Sequence, residues 1–280
     1  MKYRYMCRIE PDTAVISFLE KKKVKYEIAS CITDTLIFDL YSDMEEHEHI
    51  LEYIKSKPGS LITKLSVFSK QEMEDANWYL MEVTRMGIDT RRPDFTYDAK
   101  CPYTTSYGMQ KHHHVDQVNP FVSKKIPKWK NRSHFCSTET GFVTKIFCSD
   151  YAKEKILQSG VTGVDFMPVL KSDLKTENPD ISQLVFKNKL PLDAYTFIGN
   201  YTEDICPFCG RINYIFEELN CDNIRLNTNV IPKDVDVFGS EIILGEGFGD
   251  EPIVVSKKFY NLITKEINEN PGHLCWYPIA

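Results

Sequence analysis

The amino-acid sequence predicts an α+β protein, with small, mostly antiparallel sheets and helices packed on one face. Two observations lead to this fold class. In the first third of the chain, β-rich runs alternate with segments whose apolar residues recur at helical spacing. In the second half, a strand–helix–strand pattern occurs twice. Helices packed on small sheets are the arrangement that buries the apolar faces of both kinds of element.

The elements of the first third follow from periodicity and capping. Strands are predicted at residues 35–41, 60–68 and 77–83, and helices at residues 42–55 and 69–74. The first helix opens with a Ser-x-x-Glu capping box, Ser42 with Glu45, and the second opens with the same pattern at Ser69. A Lys-Pro-Gly sequence at 57–59 predicts the end of the longer helix.

The C-terminal two-thirds contain two similar strand–helix–strand units, at residues 142–170 and 252–279. In each, a β-rich run ends in a serine placed to cap a helix, Ser149 or Ser256. The helix ends at a glycine-containing turn, and an aromatic-bearing strand follows. The prolines that close the two units are Pro168 and Pro278. This agreement indicates a duplicated scaffold, but it does not imply two active sites.

The elements group into three regions. Residues 1–88 are predicted to form an N-terminal α+β domain. Residues 89–135 have little periodicity and are rich in Pro, Gly, Thr and Tyr, so we expect an irregular connecting segment. Residues 136–280 are predicted to form a C-terminal α+β domain that contains the duplicated units and a Cys-Pro-Phe-Cys-Gly sequence.

Composition and charge limit the classes of function. The 280 residues carry a formal net charge of −6, and an acidic chain repels nucleic-acid backbones unless it has a concentrated basic patch. The lysine runs at 20–25 and 123–132 are short, so nucleic-acid binding is not expected. There is neither a secretory signal nor an apolar run long enough to span a bilayer, which predicts a cytoplasmic protein without membrane association. Nine cysteines, an odd number, argue against a disulfide framework.

The sequence DICPFCGRINY, residues 204–214, is the strongest candidate site. Two cysteines two residues apart, Cys206 and Cys209, with a glycine directly after them, are typical of a metal knuckle. A turn that keeps its shape without metal is the alternative. A redox pair would need a helix after the second cysteine, but apolar residues alternate there as in a strand, which disfavours redox chemistry.

These motifs together resemble bacterial immunity proteins of the double-CxxCG type, which belong to polymorphic toxin systems, and related uncharacterised proteins of low-GC Gram-positive bacteria. The resemblance covers about residues 95–280 and rests on the two strand–Ser–helix units and the CPFCG sequence. It implies two knuckles and four thiolates. Here the counterpart of the first knuckle is Cys101-Pro-Tyr-Thr, in which threonine replaces the second thiol. A fourth ligand could come from His112, His113 or His114; we take His113, which gives a Cys₃His set for one structural zinc ion, or else the metal has been lost.

The resemblance implies a protein that neutralises a cognate toxin by protein–protein contact. No nucleophile elbow, P-loop, HExxH or kinase motif occurs, and nothing in the sequence places a nucleophile beside a base. We expect aromatic residues of the irregular segment, Tyr103, Tyr107 and Trp129, to contact the partner. The alternatives are a zinc-stabilised enzyme or a nucleic-acid-associated module of unknown chemistry, and a scaffold that acts only as a homo-oligomer.

Overall fold

The structure is a computed structural model of the chain. It describes residues 2–30, 34–88, 90–91, 117, 119–123, 125–138, 145–208, 210, 212–216, 223–245 and 251–279. The described residues up to Glu74 form one compact unit, and those from Asp75 onward, with residues 217–222 outside the description, form a second. The α+β class predicted from the sequence is confirmed, because helices and many strands in several small sheets are present.

The described part of the first unit contains a four-stranded antiparallel sheet, two helices that share its core, and all but the last residue of a short helix over Lys70–Asp75. Its elements in chain order are β1 (Lys2–Ile9), α1 (Thr13–Lys21), β2 (Tyr26–Ser30), β3 (Asp34–Tyr41), α2 (His47–Lys55) and β4 (Leu61–Val67). The strand order in the sheet is β2-β3-β1-β4, and every pair is antiparallel. This β-α-β-β-α-β order is the ferredoxin-like arrangement. Its core comprises one face of the sheet and the apolar stripes of both helices, among them Leu19, Phe38 and Ile54.

The predicted start of α2 was wrong. The helix begins at His47 rather than after Ser42, and the residue before it, Glu46, has a left-handed backbone with φ 60°. The hydroxyl of Ser42 instead accepts a hydrogen bond from the backbone N–H of Tyr3 at 2.9 Å, across the sheet. The predicted cap at Ser69 is confirmed: Ser69 and Glu72 bond each other's backbone N–H at the start of α3 (Lys70–Asp75).

The described residues of the second unit form four sheets. Its first strands are β5 (Trp78–Val83), β6 (Met86–Ile88), β7 (Thr90–Arg91), β8 (Val122–Ser123), β9 (Phe135–Thr138), β10 (Ile146–Ser149), β11 (Val164–Leu170) and β12 (Glu177–Phe186). The later strands are β13 (Lys189–Leu190), β14 (Tyr195–Phe197), β15 (Tyr201–Ile205), β16 (Ile212–Phe216), β17 (Ile224–Leu226), β18 (Val237–Ser240), β19 (Ile243–Leu244), β20 (Ile253–Ser256) and β21 (Leu274–Ile279). The helices are α4 (Asp150–Gln158) and α5 (Lys257–Asn261), and α5 continues into a π-helical turn over Leu262–Glu266.

The two largest sheets of the second unit have the same central plan. Their strand orders are β6-β9-β10-β12-β11-β8-β7 and β13-β18-β20-β5-β21. Helix α4 connects β10 to β11, and α5 connects β20 to β21. In each case the two connected strands run parallel, and one antiparallel strand, β12 or β5, lies between them.

The strand register matches in the two strand–helix–strand repeats. In the first repeat, Cys148 and Pro168 both pair with Ser182 on the middle strand, β12. In the second repeat, Val255 and Pro278 both pair with Tyr79 on the middle strand, β5. The predicted capping serines occupy matching places: Ser149 accepts from the N–H of Ala152, and Ser256 from that of Phe259. The duplication inferred from sequence is therefore present in the fold.

The boundary between the two compact units lies just before β5. The sequence placed the end of the first domain at residue 88, but β5 belongs to the second unit because it is the middle strand between β20 and β21. Strands β7 and β8, which fall within the predicted connecting segment, join the seven-stranded sheet.

Candidate functional site

The CPFCG turn closes the hairpin of β15 and β16, whose last pair is Ile205 with Ile212. Cys206 follows β15 and is 3% exposed. The backbone N–H of Gly210 donates to the carbonyl oxygen of Cys206 at 2.9 Å, and Gly210 has a φ of +73°, a backbone conformation that favours glycine. The turn predicted from the sequence therefore has a buried first cysteine and a left-handed glycine.

The other predicted ligands cannot be placed against this turn. Cys209, Cys101 and His113 lie outside the described residues. Within the described part of the chain, no three His, Cys, Asp or Glu side chains converge on a point where a metal ion could bind. The zinc site stays a prediction.

Of the three aromatic residues predicted to contact a partner, the structure describes one. Tyr103 and Tyr107 lie outside the described residues. Trp129 is half-buried against an apolar core cluster, and its indole N–H donates to the carbonyl oxygen of Asp180 at 2.8 Å. The guanidinium of Arg85 lies 5.5 Å from its ring centroid. Trp129 thus has contacts within the fold, and its role towards a partner stays a prediction.

A serine does lie beside a base, contrary to expectation. Ser149 Oγ is 2.9 Å from Nδ1 of His134. Next to them, the carboxylate of Glu269, buried with 2% of its side chain exposed, accepts from the backbone N–H of His134 and contacts His273 Nδ1 at 2.7 Å. Burial lowers the pKa of His134, and Arg85 lowers it further, while Glu269 acts in the opposite direction.

The second strand–helix–strand repeat shows that this pair is structural. There Ser256 occupies the place of Ser149, and its hydroxyl donates to Asp236 Oδ1 at 2.7 Å. His134 directly precedes β9 and Asp236 directly precedes β18, and both strands flank the serine's own strand. Each serine hydroxyl thus caps a helix and meets a polar side chain at the start of the neighbouring strand. Ser149 is also only 3% exposed, so we interpret the pair as a cap fixed by its neighbour.

A cleft of about 840 Å³ lies elsewhere in the second unit, over the segment between the two repeats. It is open to solvent and is lined by Pro191, Leu192, Asp193, Tyr195, Thr196, Phe197, Tyr201, Glu203, Tyr214 and Glu241. A 3₁₀ turn over Leu192–Ala194 forms one side. Glu241, which follows β18, is held there by the bond from its N–H to the carbonyl oxygen of Leu190, 3.0 Å long.

The floor of the cleft is a cluster of aromatic rings. Strand alternation places Tyr195 and Phe197 on one face of β14, and Tyr201 and Glu203 on one face of β15. Phe197 is central: its ring centroid lies 4.7 Å from that of Tyr214 and 5.4 Å from that of Tyr201. Tyr214 is buried, whereas Tyr201 keeps 39% of its surface exposed. The rings thus join the core below to an accessible aromatic surface above.

Three carboxylates surround this floor. Asp193, Glu203 and Glu241 are all exposed, and none of them forms an ion pair or a side-chain hydrogen bond with another described residue. The negative charge of these carboxylates also affects the tyrosine side chains of the floor. Burial raises the pKa of Tyr214, and the neighbouring Glu203 raises it further. The cleft therefore combines aromatic surface with unneutralised negative charge.

Tyr195 contributes a buried hydroxyl. The residue is 7% exposed, and its hydroxyl has no hydrogen-bond partner among the described residues. Burial raises the pKa of Tyr195 to about 12, with Glu241 adding to the shift; Ser240 is near enough to lower it, but not in hydrogen-bonding geometry. A buried polar atom without a partner costs stability, and such atoms often mark functional sites.

The sequence contained a signal for this cleft, in PLDAYTFIGNYTEDI at residues 191–205. Aromatic residues at 195, 197 and 201 and acidic residues at 193 and 203 all fall there at odd-numbered positions. A single strand would place these on one face, but the turn at 198–200 and the contribution of Tyr214 and Glu241 depend on the fold.

Comparisons with known proteins add no further assignment. No protein-family model matches the chain, and no curated protein is significantly similar to it. No helix within the described ranges is both long and apolar enough to cross a bilayer.

Proposed function

We propose that this chain is an immunity-type binding protein, which neutralises a cognate bacterial toxin in the cytoplasm by protein–protein contact. The observation that carries the proposal is the open cleft, with its aromatic floor and three carboxylates. Aromatic residues dominate the binding energy of protein interfaces, and negative charge speeds association with a basic partner.

The accessible apolar surface extends beyond the cleft. Ile205 lies on the same face of β15 as Tyr201 and is 54% exposed. Phe208, in the CPFCG turn, is 63% exposed, and Leu192 at the other side of the cleft is 47% exposed. A run of exposed large apolar residues beside a charged cleft is typical of a surface that a protein partner covers.

The cleft chemistry favours binding over catalysis. Its described lining includes no His, Cys, Ser or Lys, the side chains that most often act as nucleophile or general base together with the carboxylates. Its carboxylates are exposed, and exposed charges serve recognition and steering well.

A structural zinc ion is part of the proposal. Cys206 and Cys209 would supply two thiolates, and Cys101 and His113 the remaining ligands. The buried Cys206 and the left-handed Gly210 support a knuckle turn. With four protein ligands the ion would have no open position, so it would stabilise the hairpin beside the cleft and take no part in hydrolysis.

The test is co-expression of this chain in bacteria with toxin genes that neighbour its own. In cells that express one cognate toxin, this chain should restore growth, and the two purified proteins should form a complex. A triple variant, Asp193→Asn with Glu203→Gln and Glu241→Gln, should lower the association rate about tenfold at low salt.

The matched control removes three carboxylates from elsewhere on the second unit. Glu154, Glu177 and Glu266 are exposed and lie outside the cleft, so changing each to Gln alters net charge equally. This control should bind like the parent protein. If no neighbouring toxin is bound or neutralised, the proposed function fails.

A further inference from the structure

We propose that the cleft binds the guanidinium group of an arginine side chain that projects from the partner. The inference rests on the proposed function, because it names the chemistry that the same surface would recognise. Three features of the cleft carry it: accessible aromatic faces, carboxylates that pair with no cation among the described residues, and an open shape.

The aromatic floor supplies the first contact. Tyr201 is exposed on one side and meets Phe197 edge-on, with an interplanar angle of 68°. Rings held in this way by the core beneath them lose little conformational freedom when a ligand binds. A cation placed over such a face is attracted by the negative charge of the π system, and guanidinium groups do this more often than ammonium groups.

The carboxylates supply the second contact. Glu203 pairs across the hairpin with Tyr214, and Glu241 lies near Tyr195, so negative charge is present beside two separate rings. No Arg, Lys or His is among the described residues that line the cleft. Two cations near the cleft in the described part of the sequence are engaged or lie on another face. Lys189 lies 3.6 Å from Glu251, and Arg225 pairs with Thr196, on the other face of the ribbon from Phe197.

The shape of the cleft distinguishes arginine from other cations. A quaternary ammonium ion is best held in a closed box of aromatic rings, whereas this cleft is open to solvent and carries carboxylates beside its rings. A planar guanidinium can stack on a ring while its N–H groups, in the same plane, donate to carboxylates at the edge.

The experiment uses fluorine NMR on the full chain labelled with 3-fluorotyrosine. The resonance of Tyr201 is assigned by its loss in Tyr201→Phe, because the chain has 15 tyrosines. The probes are arginine, lysine and citrulline, each blocked as the N-acetyl N-methylamide. Citrulline has the shape of arginine without its charge. We expect blocked arginine to shift the Tyr201 resonance saturably, lysine to bind more weakly, and citrulline to leave the resonance unchanged.

Charge-removing variants locate the site. Glu203→Gln with Glu241→Gln should weaken arginine binding about tenfold, which is the sum of two modest charge contacts in a partly solvated site. The matched control, Glu154→Gln with Glu177→Gln, should bind arginine like the parent. All four residues are exposed, so the dispersed fluorine spectrum should remain that of a folded protein in both variants.

Three results would overturn the inference: citrulline binding as well as arginine, lysine binding more tightly than arginine, or equal losses in the two double variants. The outcome is separable from that of the proposed function. A chain that neutralises a toxin but ignores arginine refutes the inference alone. A chain whose cleft binds arginine but which no neighbouring toxin engages refutes the proposed function alone.

Discussion

Gly160 and Gly163, in the turn between α4 and β11, have similar left-handed backbones, with φ values of +66° and +88°. Their surroundings differ. A Cβ added at Gly160 would meet no atom within 4 Å. A Cβ added at Gly163 would lie 2.2 Å from the carbonyl oxygen of Val237 and 2.7 Å from Cγ1 of Val235. The same substitution to alanine at the two positions therefore separates backbone strain from steric overlap.

The turn cannot move away from Val237 without breaking hydrogen bonds. The backbone N–H of Thr162 donates to Asp236 at 3.1 Å, and its hydroxyl donates to the carbonyl oxygen of Asp234 at 2.7 Å. Val237 is itself fixed by its pairing with Val255 in the sheet. Relief of the overlap needs a shift of about 1 Å, because real Cβ contacts to backbone lie beyond about 3 Å. Such a shift would break or weaken both bonds, at about 1 kcal/mol each.

The expected costs follow. Gly160→Ala should lower the free energy of unfolding of the second unit by about 1 kcal/mol, which is the cost of placing alanine in a left-handed backbone conformation. Gly163→Ala should cost about 3–4 kcal/mol, because the two lost hydrogen bonds and residual overlap add to the same strain. In a unit of this size these free energies correspond to decreases in Tm of about 3 °C and about 10 °C.

Urea unfolding followed by tryptophan fluorescence measures the difference. All three tryptophans, Trp78, Trp129 and Trp276, belong to the second unit, so the signal reports the unit that contains both glycines. Free energies of unfolding for the two variants that agree within about 0.5 kcal/mol, close to the error of the extrapolation, would refute the packing of the turn against Val237.

Three further outcomes are expected. Burial lowers the pKa of His134 below its unfolded value of about 6.5. The stability that the neutral ring contributes is therefore present above that pH and is lost as the pH falls below it. The variant His134→Asn, which keeps an acceptor for Ser149, should flatten the decline in urea midpoint between about pH 6.5 and 5. Ser149→Ala and Ser256→Ala should each lower the free energy of unfolding by about 1–2 kcal/mol in the same assay, because each removes a helix cap and one side-chain bond, and unequal losses would contradict the equivalence of the two repeats. Elemental analysis should find one zinc ion per chain and none after Cys206→Ser, and a metal-free parent protein would show that the turn is structural.

Local signals predicted much of the scaffold. The capping serines Ser149 and Ser256 were identified because a strand that ends in serine before an apolar-striped helix is a local pattern. Ser42 carried the same pattern, but its hydroxyl bonds Tyr3, which lies 39 residues away in sequence. The start of α2 is instead set by the left-handed Glu46, whose carboxylate contacts the ammonium group of Lys22. Capping propensity is thus overridden where a tertiary contact takes the side chain.

The candidate site was not predicted, for the same physical reason. The cleft brings together Tyr195 from one small sheet, Tyr201 and Tyr214 from another, and Glu241, which directly follows a strand of a third. No local period links them. The pairing of Ser149 with His134 was missed likewise, since it depends on the registry of β10 beside β9.

The cleft is formed by the segment between the two repeats and not by the repeats themselves. Strand β12, which lies between the two connected strands of the first repeat, ends at Phe186, and the second repeat begins with β20 at Ile253. The cleft residues come from the stretch between, at 191–214, together with Glu241 just after β18. The repeats keep matching registers and matching capping serines, which are features of packing. The intervening segment instead exposes aromatic rings and carboxylates that the described contacts leave unneutralised. A scaffold fixes the position of a site, whereas connecting segments carry recognition. Substitutions between residues 191 and 214 should therefore alter the binding specificity of this protein. Substitutions within the repeats that keep their packing should preserve it.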